Sequence, residues 1–239
     1  MANIDVEMGQ FQKVTTLENK DYIVVSLDNG TQGQIKVSDL ASVVAAINVQ
    51  SNTDLFSGGV YESVDLGLPS GTLWAKYNIG ATKESDYGDL FAWGATEPYR
   101  LNGTTPIDNT GNYGSSYANK IQHDLYPNED AATVKWGKGW KMPTKAQFDE
   151  LLANTTDEWT AINGINGRKF TASNGNYIFF PVAGDVGGGS LLHRGSGGSY
   201  WSRSFYSSSG AWKLGFDSSG RNVNANYRYL GFSVRAVRA

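Results

Sequence analysis

The sequence predicts an α+β fold with short strands, long loops and few helices, preceded by a small ββα segment. Glycine contributes 29 of the 239 residues and proline only 6, and Gly, Asn and Ser clusters recur between short apolar runs. Such clusters mark turns between strands. Aromatic residues make up 13% of the chain and supply large rings for a core. Helical periodicity is clear at only two places, so we expect few helices.

The first predicted region, residues 1–50, is an attachment or oligomerisation segment. A unit this small buries little surface, so we expect it to oligomerise or to dock on a partner. Its pattern consists of two β-rich ranges, a hairpin pair, a returning strand and a helix with apolar residues at helical spacing. In chain order these are Phe11–Leu17, Tyr22–Leu27, Asn29-Gly30, Gln34–Val37 and Ser38–Ile47.

Residues 51–59 have the composition of a linker, and residues 60–239 are predicted to form one ligand-binding domain. A helix is expected over Thr144–Leu152, because Thr144 and Gln147 have the spacing of a capping box. The predicted strands of this domain are Asn176–Val182, Ala211–Asp217 and Phe232–Val237. In the middle strand Trp212, Leu214 and Phe216 alternate with Lys213, Gly215 and Asp217.

Composition excludes several classes of function. A net charge of -3 is unlike the strongly basic charge of a dedicated nucleic-acid binder. Without cysteine the chain forms no disulfide, thiolate metal site or cysteine nucleophile. The first ten residues lack the pattern of a secretory signal, and the apolar run Val43–Ile47 is too short to span a membrane. We therefore expect no nucleic-acid partner, no membrane insertion, no metal and no cofactor.

The last fifty residues have an unusual composition. Half of residues 190–239 are Ser, Gly, Tyr or Asn, and the segment is basic although the chain as a whole is acidic. Tyrosine and tryptophan provide rigid contact area, Ser, Gly and Asn provide adaptable hydrogen bonds, and arginine provides anchors, as in binding surfaces. The alternative is a connecting loop rich in Gly and Ser. Interleaved large rings favour a binding surface: Tyr200, Trp201, Phe205, Tyr206, Tyr227 and Tyr229.

Four blocks carry a resemblance to a known family. They are Tyr61–Asn78, Asp86–Gly94, Trp136–Thr144 and Gly231–Arg238. In this order they resemble bacterial surface domains with the C-type-lectin-like fold of the formylglycine-generating-enzyme type. The resemblance implies that fold for residues 60–239 but no such activity, because that chemistry needs active-site cysteines. The resemblance also implies that Trp74, Trp93, Trp136 and Trp140, which lie in these blocks, belong to the core.

Within that group, the end of the chain resembles the variable proteins of diversity-generating retroelements. There the C-terminal strands and loops display a ligand-binding surface, and mutagenesis acts at template adenines, often in Asn codons. The resemblance implies an invariant scaffold of Trp201, Ser202, Trp212, Leu214, Phe216, Phe232 and Val234. It implies a variable, ligand-binding set that comprises Leu192, His193, Gly198, Ser199, Phe205, Gly210, Gly215, Asp217, Arg221, Asn222, Asn224, Asn226, Tyr227, Tyr229 and Leu230.

Residues 1–50 also resemble the N-terminal segments of phage tail fibres, which implies attachment to other virion tail proteins and a homotrimer. We therefore expect a receptor-binding protein or adhesin, located in a phage tail, whose partner is a cell-surface protein or glycan. One alternative is a non-diversified domain of the same fold on the bacterial cell surface. The other is a glycan-processing enzyme.

Few residues support catalysis or a calcium–sugar site. Glu97-Pro98-Tyr99 lacks the amide of the Glu-Pro-Asn triplet of calcium-dependent lectins. His193, Asp185 and a nearby serine could form a hydrolytic triad, but no GxSxG motif accompanies them. Asp86, Asp89 and Glu97 are the candidate carboxylates of a glycosidase. We expect no catalytic residue, and we expect His193 to be a surface contact.

The basic residues of the terminal segment fall into two groups. Arg203, Arg221 and Arg228 are candidate contacts with anionic glycans or nucleic acid. Arg235 and Arg238 lie in the block of the fold resemblance, and we expect them to brace the fold through backbone or carboxylate contacts.

Overall fold

The computed structural model describes residues 61–106, 120–137 and 139–238, together with three strands of the N-terminal region. The chain divides into two compact units, residues 1–60 and residues 61–239. The described residues are mostly β-strand and contain two helices, which agrees with the predicted α+β class.

In the first unit the described strands are β1 (Phe11–Asn19), β2 (Tyr22–Leu27) and β3 (Gln32–Lys36). They form an antiparallel sheet in the order β1-β2-β3. The two β-rich ranges and the returning strand are thus confirmed as strands, and the segment has three strands where the expected ββα pattern counts two. The Asn29-Gly30 turn, the helix expected over Ser38–Ile47 and the linker of residues 51–59 lie outside the described residues.

The second unit contains fifteen described strands and both helices. The first strands are β4 (Ser63–Asp65), β5 (Leu73–Ala75), β6 (Leu90–Phe91), β7 (Leu101–Asn102) and β8 (Thr105–Pro106). Helices α1 (Ala131–Trp136) and α2 (Lys145–Asn154) follow. Next come β9 (Thr155–Ile162), β10 (Ile165–Ala172), β11 (Tyr177–Pro181), β12 (Asp185–Gly187) and β13 (Ser190–Leu192). The last strands are β14 (Gly197–Phe205), β15 (Gly210–Asp217), β16 (Arg221–Tyr227), β17 (Phe232–Ser233) and β18 (Val237–Arg238).

The largest described sheet is built mainly from the C-terminal segment. Its order is β16-β15-β14-β17-β6, and only the β14–β17 pair is parallel. A second sheet, β11-β10-β9, is antiparallel throughout. The alternation expected in Ala211–Asp217 is present in β15, but Lys213 and Gly215 are buried along with Leu214 and Phe216. Leu214 and Phe216 pack into the core cluster that contains Phe148 and Leu151 of the second helix, whereas Lys213 and Gly215 lie on the opposite face.

Helix α2 begins where the sequence predicts. The Thr144 hydroxyl accepts a hydrogen bond from the Gln147 amide at 3.1 Å, and the Gln147 side chain accepts one from the Thr144 amide at 2.9 Å. This reciprocal pair is the capping box expected from the spacing. Phe148 and Leu151 point from the helix into a core that also contains Tyr200 of β14. Helix α2 therefore supports the large sheet from behind.

The tryptophans of the resemblance blocks are buried, as expected. Trp74, Trp93, Trp136 and Trp140 are between 0% and 4% exposed. Trp93, Trp136 and Trp140 pack together with Trp201 in one core cluster, whereas Trp74 lies in the cluster beneath α2. Their size and depth leave them unavailable to a ligand, so they fix the scaffold that carries the C-terminal strands.

The single closing strand expected over Phe232–Val237 is wrong. The chain instead forms two short strands in different sheets: β17 pairs with β6 and β14, and β18 pairs with β5. Between them the buried Arg235 donates to the carbonyl oxygens of Ala75, Lys76 and Phe179 at 2.7 to 3.1 Å. These bonds hold the chain where it passes from one sheet to the other.

The bracing role expected for Arg235 is confirmed by these backbone contacts. Burial lowers the pKa of its guanidinium to about 10, so the group is still charged at neutral pH and keeps all its donors. Arg238 donates to the Ser63 hydroxyl at 2.9 Å.

Candidate functional site

Strand pairing places several of the expected contact residues on one face of the large sheet. Ser199 of β14 lies opposite Gly215 of β15, which lies opposite Asn222 of β16. On the next row of this face, Lys213 lies opposite Asn224. Directly opposed residues point to the same side of a sheet. This side of the hairpins is therefore polar towards the β15–β16 turn, whereas Trp201 of β14, which also lies opposite Lys213, is buried in the core.

A groove of about 670 Å³, hereafter the groove, lies over this polar side. Its volume falls within the range of about 300–1,000 Å³ that is usual for small-ligand sites. Asp185 and His193 form one wall, from the β12–β13 region, and the C-terminal hairpins form the rest. Of the expected contact residues, those that line the groove are His193, Gly198, Ser199, Gly215, Asp217, Arg221 and Asn222.

Lys213 lies at the bottom of the groove. The residue is only 9% exposed, and its Nζ atom is 3.5 Å from the Ser199 hydroxyl oxygen. The ammonium occupies the space above Gly215, since a Cβ atom at that glycine would lie 2.1 Å from Nζ. Burial lowers the pKa of Lys213, and the charge of Asp185 opposes that shift. The groove thus presents a buried cation with a long bond to a neutral partner.

Asp185 and His193 form a pair at the groove wall. The His193 Nδ1 atom is 2.5 Å from Asp185 Oδ1, and the imidazole side chain is 65% exposed. His193 has a φ of 56°, in the left-handed region that non-glycine residues seldom adopt. Its carbonyl oxygen accepts bonds from the amides of Ser196 and Gly197 at 3.0 and 2.9 Å, which stabilise this turn.

This pair supplies two members of the triad considered from the sequence. The hydroxyl of Ser196, a serine close to it in the chain, donates to the His193 backbone carbonyl at 3.1 Å and not to the ring. The exposure of His193 agrees with its expected role as a surface contact.

The β15–β16 turn is closed by Asp217. Its Oδ1 atom accepts bonds from the Ser219 amide at 2.7 Å, the Ser219 hydroxyl at 2.6 Å and the Gly220 amide at 3.2 Å. These bonds, above all that from the Ser219 hydroxyl, hold the pKa of Asp217 below its usual value. The carboxylate therefore shapes the rim of the groove by fixing the turn.

Arg221 at the start of β16 is tied to the neighbouring sheet. Its Nε atom lies 2.6 Å from Asp157 Oδ2, and Arg168 binds the other oxygen of the same carboxylate. Arg168 also donates to the carbonyl of Asp217 at 2.7 Å. Arg221, an expected contact, thus shares the single carboxylate of Asp157 on β9 with Arg168.

A second exposed surface lies near the other end of β16. Tyr206, Tyr227 and Tyr229, here called the tyrosine patch, are 53%, 55% and 38% exposed. Tyr227 and Tyr229 stack with ring centroids 5.5 Å apart. A pocket of about 180 Å³ lies beside them and includes Gly210 and Asn226. Large exposed rings next to small polar residues are typical of protein recognition surfaces.

The groove and the tyrosine patch are separate surfaces. Residues Arg221 and Tyr227 bound β16, and six steps of about 3.3 Å place its ends roughly 20 Å apart. The expected contact residues of the C-terminal segment therefore contribute to two surfaces on the same hairpins. A ligand larger than a small molecule is needed to touch both at once.

Arg228 was expected to be a contact residue, and that expectation is wrong. It is 0% exposed and lies between the exposed Tyr227 and Tyr229. Its guanidinium donates to the carbonyl oxygens of Ile121 at 2.6 Å and Gly210 at 3.1 Å, and to that of Ser207. These bonds satisfy buried carbonyls, so Arg228 is an internal brace for the two tyrosines beside it.

The remaining expected residues differ in exposure. Leu192 is 41% exposed at the end of β13, and Asn224 is exposed on β16. Phe205 and Leu230 are partly buried and pack against the core cluster that contains Trp201. Gly198 is buried under a ring, since a Cβ atom there would lie 2.4 Å from Phe216. Phe205, Leu230 and Gly198 are therefore close to the scaffold and offer little surface to a ligand.

Other candidate groups have local partners. Arg203 donates to the carbonyl of Leu125, and Glu97 pairs with Lys135 at 2.8 Å. Asp86 accepts bonds from the amide and hydroxyl of Thr82 at 3.2 and 2.9 Å, which closes a turn. Burial raises the pKa of Asp89. Within the described part of the chain no cluster of three His, Cys, Asp or Glu residues could hold a metal ion.

Composition does not single out Lys213, the most unusual residue of the groove. The available signal was a lysine inside a strand whose opposite face carries Trp212, Leu214 and Phe216.

A scan against protein-family models, a search of curated proteins and a search of solved structures found no match to the chain. Among the described residues, no helix is long and apolar enough to cross a membrane. The functional conclusion therefore depends on the side chains of the second unit and their geometry.

Proposed function

We propose that this chain is a receptor-binding protein or adhesin of a phage tail, with a C-type-lectin-like second unit that displays a diversified ligand-binding surface. The observation that carries the proposal is the position of the C-terminal hairpins. Strands β14, β15 and β16 lie side by side in the largest described sheet and expose both the groove and the tyrosine patch. The composition typical of a binding surface thus coincides with exposed, concave structure.

A rigid frame supports these surfaces. Trp201, Ser202, Leu214 and Phe232, from the expected invariant scaffold, are at most 1% exposed. Expected variable residues such as His193, Asn222, Asn224 and Tyr227 are exposed. This division is what diversification requires, because surface substitutions change stability little whereas core substitutions change it greatly.

In this proposal residues 1–50 attach the protein to other tail proteins and form a homotrimer. Three heads on one base engage a cell surface at high effective concentration, so modest affinity per head yields stable attachment. The receptor is a protein or glycan on the cell surface.

A double substitution in the tyrosine patch tests the proposal. Fluorescently labelled full-length protein is first assayed on a panel of bacterial strains to find those that it binds. Y227A/Y229A is expected to lower binding to those strains at least about tenfold, since buried aromatic anchors of an interface contribute 2 kcal/mol or more, as a rough guide. Its thermal midpoint should change little, because both rings are exposed.

The matched control is Y126A/Y177A. Tyr126 and Tyr177 are 56% and 38% exposed, nearly the same as the patch pair, but neither lies in the C-terminal hairpins. This variant should bind like the parent protein. Equal binding by both double variants, or a parent protein that attaches to no strain, would contradict the proposal.

A further inference from the structure

The groove has a chemical character more specific than that of a general recognition surface. The most buried charged group that lines it is Lys213, whose ammonium lies over Gly215 in the space that a side chain at that position would need. Around the rim are the side chains of Ser199, Ser218 and Asn222. A buried cation under a ring of neutral hydrogen-bonding groups matches a ligand with one anionic group and several hydroxyls.

The environment of Lys213 leaves it poorly compensated. An ammonium has three donors, and Nζ has a hydrogen bond to the Ser199 hydroxyl at the long limit of 3.5 Å and lies 5.8 Å from the centre of the Phe232 ring. A buried charge is costly unless it is paired. Lys213 is 9% exposed, so an anion that enters the groove would gain more from it than from a fully hydrated surface lysine.

The other charged groups that line the groove are already engaged. Arg221 is bonded to the Asp157 carboxylate, which it shares with Arg168, and the Asp217 carboxylate is held by the amides and hydroxyl of its own turn. Asp185 is hydrogen-bonded to His193, and its charge acts on Lys213 from the wall. The attraction for an anion therefore centres on Lys213, and Asp185 weakens it.

We propose that the groove binds a carboxylated sugar unit, with its carboxylate on the ammonium of Lys213 and its hydroxyls on the serine and asparagine side chains of the rim. The groove volume of about 670 Å³ accommodates such a unit together with part of a neighbouring one. The inference rests on the proposed function, and it assigns an acidic glycan as the class of receptor that the groove recognises.

Ligand-observed NMR titration of the full-length protein tests this assignment with three probes. D-glucuronate carries both the carboxylate and the hydroxyls, glucose carries only hydroxyls, and acetate carries only a carboxylate. Glucuronate should bind about tenfold or more tightly than either of the others. Equal binding of glucuronate and glucose would overturn the role of the cation, and equal binding of glucuronate and acetate would overturn the recognition of a sugar.

Substitutions at the groove have opposite expected signs. K213M should weaken glucuronate binding at least about tenfold, because a charge-assisted hydrogen bond is lost. G215A should also weaken it, since its methyl group displaces the ammonium. D185N should strengthen it by removing the opposing charge. The control K169M removes a lysine that pairs with Glu158 on another sheet and should change nothing.

Thermal unfolding separates a binding role of Lys213 from a structural one. K213M should be at least as stable as the parent protein, because an apolar chain of similar length relieves the cost of a buried charge. Strong destabilisation of K213M, together with unchanged glucuronate binding in G215A and D185N, would overturn the inference. Cell attachment without glucuronate binding would contradict the inference but leave the proposed function intact.

Discussion

At the scale of single residues, the arginines of the C-terminal segment divide between the interior and the surface. Arg228 and Arg235 are both 0% exposed and bind backbone carbonyls, although they are only seven positions apart in a segment with the composition of a binding surface. The five donors of a guanidinium allow one side chain to satisfy several carbonyls that do not belong to a strand ladder. Composition alone therefore overestimates how many basic residues face a ligand.

Replacement of Arg228 by methionine should destabilise the protein by roughly 3–5 kcal/mol, less than the sum of its three bonds because methionine also removes the cost of burying a charge. The carbonyls of Gly210, Ile121 and Ser207 would lose a charged donor, and each such bond contributes about 1.5–3 kcal/mol. Urea unfolding followed by tryptophan fluorescence measures the change. R194M is the control, because Arg194 is exposed and donates to the Ala183 carbonyl at 3.3 Å. If R228M lost less than about 1 kcal/mol in its free energy of unfolding, water or neighbouring donors would be replacing the guanidinium.

At the scale of elements, the sequence predicted correctly the features that depend on residues close together in the chain. Thr144 and Gln147 identified the start of α2 because both partners of a capping box lie within one turn. The chain after Phe232 was predicted as one strand but changes sheets at Arg235. That change depends on carbonyls of Ala75 and Phe179, which are distant in sequence, so an apolar alternating pattern could not reveal it.

Removal of the capping box tests how much the start of α2 contributes to the stability of the unit that contains the large sheet. T144A should lower the free energy of unfolding by about 1 kcal/mol, the usual cost of a lost N-cap. T144S keeps the hydroxyl and should stay within a few tenths of a kcal/mol of the parent protein. Equal losses in the two variants would indicate that the threonine methyl group, and not the cap, is responsible. Urea unfolding of both variants makes the comparison.

At the scale of the whole second unit, the groove is the feature that sequence could predict least. The basic, serine-rich C-terminal segment indicated a binding surface and named many residues that line it. Asp185 and His193, however, reach the groove from the β12–β13 hairpin, which is not part of the large sheet, and Lys213 reaches it from the face of β15 that also carries Gly215. These placements follow from tertiary packing, which no local pattern records.

The burial of some expected variable positions also limits which residues can vary without disturbing the fold. Substitutions at exposed positions such as Asn222, Asn224 and Tyr227 alter the ligand surface without disturbing the core. Substitutions at Gly198, whose Cβ would meet the ring of Phe216, would force the core to move. We therefore expect true variation to concentrate at the exposed positions of β13, β16 and the turns beside them.

The most direct test of the central claim is nucleotide sequencing of the 3′ end of this gene and the adjacent DNA in many sibling isolates. The account predicts a nearby near-copy of codons 190–239 that differs only where the copy has adenine. Substitutions should fall at exposed residues of the groove and the tyrosine patch, while Trp201, Arg228 and Arg235 stay constant. An invariant 3′ end with no such copy would contradict diversification and leave an adhesin of fixed specificity.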